Sequence, residues 1–203
     1  MTELADGPTG SVATDQPSAK VRNHIPGEPS MWFFVIGDLI IFGVYFVAYM
    51  YYRQQDHEVF LQSQARLNLD IGAINTVVLL TSSLFVALGT SAARAGKTAD
   101  GARLFGIALA FGAAFPLFKV FEYVPEITAG STPGTNLFFM YYFVMTGMHL
   151  CHVLLGLVIL SFVIRNLKGS APPRISFVET GATYWHMVDV LWLVLFALLY
   201  LMR

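Results

Sequence analysis

The sequence predicts an all-α membrane protein, a bundle of five transmembrane helices, and three observations carry that expectation. Hydrophobic residues make up 56% of the 203 and charged residues 12%, against about 25% charged in a soluble domain. The apolar residues gather in five stretches, near 31–52, 71–93, 103–123, 137–164 and 180–202, each close to the roughly 20 residues that cross a bilayer as a helix. Helix breakers stand between them: Pro26-Gly27-Glu28-Pro29 before the first, Gly130-Ser131-Thr132-Pro133-Gly134 before the fourth and Pro172-Pro173 before the fifth.

In chain order, residues 1–25 mix Gly, Pro, Ser, Thr, Asp and Lys without periodicity. Such a segment cannot bury enough apolar surface to offset the entropy of ordering, so a disordered cytoplasmic tail is expected there. Residues 26–203 then form one five-helix transmembrane domain. No cleavable leader is expected ahead of the first span, which serves as its own insertion signal. Pro116 falls inside span three and is expected to kink it. Orientation follows from the basic residues. Lys20, Arg22, Arg94, Lys97, Arg103, Arg165, Lys168 and Arg174 fall on one side, while only Arg53, Arg66 and Arg203 fall on the other. The crowded side is expected to be cytoplasmic, with the amino terminus inside and the carboxyl terminus outside.

Composition also excludes partners and cofactors. A net charge of −1 removes the electrostatic term that nucleic-acid binding needs. A single cysteine, Cys151, excludes an internal disulfide and any multi-thiolate zinc or iron–sulfur site.

The functional question rests on polar groups within the spans, where a charge is costly unless it is paired or faces a protein interior. Asp38 lies in Gly37-Asp38-Leu39-Ile40-Ile41-Phe42. It reads as a protonated acid hydrogen-bonded to a neighbouring helix, as a proton-handling group or as a lipid headgroup contact. Lys119 and Glu122 are three apart on span three, which places them on one helix face as an ion pair, expected to be shallow because the span ends at Tyr123-Val124-Pro125. His149 and His152 share a face of span four, and His186 and Asp189 a face of span five, where the carboxylate is expected to orient the imidazole. Three intramembrane histidines also admit a copper, zinc or haem site. The alternative is a hydrogen-bonded cluster that joins spans four and five.

The motifs then become specific. Span one, with a carboxylate ahead of an apolar aromatic run, resembles the helix of the cytochrome c oxidase subunit III family that carries a carbodiimide-reactive acid, with Asp38 in place of the commoner Glu. Asn75-Thr76 followed by Thr81-Ser82-Ser83 resembles the family's next helix, and Glu122-Tyr123 the acid–tyrosine pair that ends the one after. Gly147-Met148-His149-Leu150-Cys151-His152 is similar to its Gly-x-His-x-x-His segment. Tyr184-Trp185-His186-Met187-Val188-Asp189-Val190-Leu191-Trp192 is similar to its closing helix. Lys119 departs from the family pattern, which often has an uncharged residue near that position.

The resemblance implies a five-helix bacterial form of the subunit in the plasma membrane, part of the respiratory chain. It implies no haem or copper in this chain, with those cofactors in oxidase subunits I and II, and phospholipid bound in a cleft. The implied role is support of assembly, proton uptake and durability during turnover. Asp38 would be the reactive acid, with Lys119, Glu122, His149, His152, His186 and Asp189 as polar groups of the cleft and bundle. Residues 26–34 and the run Phe138-Phe139-Met140-Tyr141-Tyr142-Phe143 also resemble a branch of the same fold associated with nitric oxide reductase. A proton-coupled transporter is the third reading, although inverted repeats are lacking.

Overall fold

The computed structural model describes residues 29–202; the expected tail, residues 1–25, lies outside them. The elements are α1 (Pro29–Gln55), α2 (His57–Gln64), α3 (Leu69–Arg94), α4 (Thr98–Thr128), α5 (Leu137–Lys168) and α6 (Ile175–Phe196), the last continued by a π-helical turn, Ala197–Leu201. Five of these are long and apolar enough to cross a membrane, and no strand occurs among the described residues. Each of the five helices overlaps one of the apolar stretches and extends it into the flanking polar residues. Helix α4 runs unbroken through both Pro116 and Pro125.

Local chemistry sets the ends. The Asn68 side chain accepts from the backbone N–H of Asp70 and Ile71 at 3.0 and 3.3 Å, and Asn136 accepts from Phe139 N–H at 2.9 Å. These bonds cover donors that the first helical turn leaves open. Gly96 (φ 76°) and Gly130 (φ 83°) take the left-handed conformation just past α3 and α4, where a side chain would be strained. Helix α2, eight residues long, was not anticipated from the sequence. It is held by Phe60, fully buried against Tyr49 and Phe138 at ring distances of 5.4 and 5.7 Å.

Helix α6 is the hub. It packs on α3, α5 and α1, while α4 lies against α3 and α5. Close approach relies on small residues, as expected where helices associate in lipid. A Cβ on Gly112 of α4 would stand 2.6 Å from the Trp185 ring, and one on Gly156 of α5 would stand 2.7 Å from it. The indole of α6 therefore fills a slot that only these two glycines leave open. Between α3 and α4, Gly89 accepts the ring of Phe105, and Ser82 Oγ donates to the Ala108 carbonyl at 2.7 Å.

Candidate functional site

Two polar centres and one outward-facing seam contain six of the seven candidate residues, and His149 stands apart from them. The first centre lies where α1, α5 and α6 meet. Asp38 Oδ2 is 3.3 Å from His152 Nε2, with both side chains about a quarter exposed. His152 Nδ1 lies 2.8 Å from the Met148 carbonyl, which can only accept, so Nδ1 carries a hydrogen. Phe42 sets its ring edge-on to this imidazole at 5.5 Å, and Tyr184 Oη donates to the His152 carbonyl at 3.3 Å. Asp38 thus meets a neighbouring helix through one imidazole.

The second centre is fully enclosed. Lys119 Nζ donates to Glu122 Oε2 at 2.8 Å and to Tyr200 Oη at 2.9 Å, and Tyr200 Oη donates in turn to Glu122 Oε1. The three side chains close a ring in which each bonds the other two. Four aromatic rings, those of Tyr123, Tyr142, Trp192 and Tyr200, surround the ammonium at 4.8–5.8 Å, within cation–π range. The expected ion pair is present and buried within the bundle. Helix α4 continues six residues beyond Glu122, about 9 Å at the helical rise, because Pro125 does not end it.

The seam involves α3 and α6. His186 Nδ1 is 2.6 Å from Ser83 Oγ. Asp189 lies beside the same serine, and its buried Oδ1 meets no hydrogen-bond partner. The expected orientation of His186 by Asp189 is therefore replaced by Ser83, since the helix directs the two side chains to a shared third group rather than to each other. Nearer the α3 terminus, Arg94 Nε donates to Glu179 Oε1 at 2.8 Å.

The three imidazoles diverge. His149 is fully buried, edge-on to Phe115 and stacked on Trp192, each at 5.3 Å, and neither of its ring nitrogens has a partner. His152 meets α1 and His186 meets α3. Among the described residues, no three His, Cys, Asp or Glu side chains converge to hold a metal ion. Sequence reasoning gave no role to Tyr200, Ser83, Tyr184 or Trp192. The indole Nε1 of Trp192 donates to Thr76 Oγ1 at 3.0 Å, which ties α6 to the Asn75-Thr76 segment. Of these four, Ser83, Tyr184 and Trp192 stood inside motifs already singled out, whereas Tyr200 carried no local signal.

Comparison with known proteins decides the family. The sequence pattern described as Cytochrome c oxidase subunit III matches residues 27–203. The chain belongs to that family. Its relatives include cytochrome c oxidase subunit 3 of Synechocystis sp., 36% identical over 83% of this chain and 72% of that protein, and that of Thermostichus vulcanus, 32% identical over 83% and 84%. Quinol oxidase subunit 3 of Bacillus spizizenii is 27% identical over 84% of each chain. The chain is subunit III of a haem–copper oxidase, a membrane component of a complex that includes partner oxidase subunits.

Proposed function

We propose that this subunit III is the non-redox member of an oxidase of the cytochrome c type, packing beside subunit I, with haem and copper confined to subunits I and II. In that role it supports assembly, proton uptake and survival of the complex during turnover. Its higher identity to the two cytochrome c oxidase relatives than to the quinol oxidase one supports the choice of electron donor. Asp38 is its reactive acid. The observation that supports this reading is the 3.3 Å contact between Asp38 and His152, a carboxyl–imidazole pair held at a partly exposed site within the spans.

The remaining candidates, Lys119, Glu122, His149, His186 and Asp189, hold the bundle together. Phospholipid occupies an apolar groove of about 620 Å³ along α1, walled by Ile40, Val44 and Val47 and ending at Tyr51 and Tyr52. Tyrosines are favoured at that level of a bilayer. In this reading the site is the bacterial plasma membrane, residues 1–25 form a cytoplasmic tail, residues 26–203 form the single membrane domain, and the carboxyl terminus is outside. The bias of Lys and Arg supports the orientation.

Purification of the tagged chain in mild detergent tests the assignment. Haem absorbance is expected to follow the large partner subunits and to vanish from this chain once it is separated from them. Haem retained by the isolated chain would overturn the proposal.

A further inference from the structure

The end of the bundle where α5 finishes and α6 begins is basic and short of acids. Between Glu126 and Glu179 the sequence holds no Asp or Glu, yet Arg165, Lys168 and Arg174 all fall there. Among the described residues none of these three side chains is in an ion pair, whereas Arg94 at the same end is held by Glu179 at 2.8 Å. A cavity of about 360 Å³ opens beside them, walled by Phe162 and Asn166 of α5, by Arg174, and by Ser176 and Phe177 of α6. Asn166 fixes the backbone over it: its Nδ2 donates to the Arg174 carbonyl and its Oδ1 accepts from the Arg174 amide, each at 3.4 Å. Pro172 and Pro173 stiffen the approach to Arg174. The exposed side chains of Arg174 and Ser176 are thus left on the cavity wall as uncommitted donors.

Depth gives the cavity its chemistry. The apolar run of α5 ends at Ile164 and its first Lys or Arg is Arg165, so the cavity straddles the level where hydrocarbon gives way to headgroups. Phe162 and Phe177, 50% and 38% exposed, offer two rings to an acyl chain. A guanidinium meets a phosphate through a forked pair of N–H bonds. The groove along α1 has no charged residue in its walls, so nothing in it selects a headgroup by charge. We propose that the cavity between α5 and α6 is a site for an acidic phospholipid. Arg174 and Ser176 hold its phosphate, Arg165 and Lys168 supply the surrounding positive potential, and its acyl chain lies on Phe162 and Phe177. A zwitterionic phospholipid carries the same phosphate together with a cation of its own, so three unpaired basic side chains favour a headgroup of net negative charge. The site requires only that the chain spans a membrane, and it stands whichever oxidase the chain serves.

Photolabelling of the intact complex tests this directly. Phosphatidylglycerol and phosphatidylcholine with identical acyl chains, each carrying a diazirine close to the headgroup, are supplied in turn, and adducts are mapped by peptide mass. The segment from Phe162 to Phe177 is expected to be labelled at least about fivefold more by phosphatidylglycerol, the ratio that one engaged surface cation confers. Arg174→Gln is expected to bring that ratio down towards one, and Arg174→Lys, which keeps the charge, to retain most of it. Arg103→Gln, at an exposed cation that already faces Asp100 at 3.8 Å, should leave it unchanged. Equal labelling of the segment by the two lipids in the unaltered chain, or a ratio that survives Arg174→Gln in full, would overturn the proposal. Excess inorganic phosphate is expected to leave the preference intact. If phosphate abolishes it, the cavity is a site for a free anion and the lipid assignment fails.

Discussion

Asp38 Oδ2 of α1 faces His152 Nε2 of α5 across 3.3 Å. With Nδ1 committed to the Met148 carbonyl, Nε2 either accepts from a protonated Asp38 or donates to an ionised one across 3.3 Å. A hydrophobic carbodiimide, which attacks the protonated acid from the lipid side, is expected to label Asp38 well above the exposed acids Asp56, between α1 and α2, and Glu58, in the first turn of α2. His152→Leu removes the group facing the carboxyl at 3.3 Å and opens it to the reagent, so labelling should be faster. Peptide mass mapping after timed labelling reads both; slower labelling in the variant would show that His152 does not shield Asp38.

Glu122→Gln removes the charge that answers Lys119 and leaves a fully buried ammonium with two neutral partners. Breaking a buried pair from one side costs about 3–5 kcal/mol. The expected outcome is loss of the subunit from the complex at a markedly lower temperature. The double variant Lys119→Met, Glu122→Gln should recover most of that loss, because no uncompensated charge remains. Thermal release of the subunit in detergent, compared across the three chains, checks both statements.

Gly156→Ala and Gly112→Ala each drive a methyl group into the Trp185 ring. Overpacking of this kind typically costs about 1–3 kcal/mol. Pairing either change with Trp185→Phe, which shortens the ring system, should return part of the stability. If the single alanine variants melt like the parent, the slot is not tight.

His149 and His186 should respond differently to removal. His149 has no hydrogen bond to lose, so His149→Phe, a ring of similar shape, is expected to be neutral or slightly stabilising. His186→Ala forfeits the bond to Ser83, and an interhelical bond in a membrane averages about 0.6 kcal/mol. The visible spectrum of the assembled oxidase should be unchanged in both. Loss of a haem or copper band with the subunit still bound would make one of these histidines a ligand.

The contrast between what the sequence discloses and what it hides follows from distance along the chain. Span positions were legible because twenty apolar residues in a row have one physical solution in lipid. The Lys119–Glu122 pair was legible because three residues in a helix fix a shared face. Tyr200, 81 residues beyond Lys119, reads in isolation as an ordinary interfacial tyrosine. Ser83 and His186 are 103 apart, so the nearer Asp189 looked like the natural partner. Helix α2 was invisible because eight residues with one anchoring phenylalanine show no period that stands out from a polar loop.

Helix α1 packs on α2, α5 and α6 and has no substantial contact with α3 or α4. During synthesis it therefore enters the bilayer long before its principal neighbours exist. His152 is made 114 residues after Asp38, an interval on the order of ten seconds at ribosomal rates. Throughout that time the carboxyl group has only lipid, water at the interface or an insertion factor for company. An acid in the first span therefore gains its partner only late in synthesis, once α5 has followed it into the membrane.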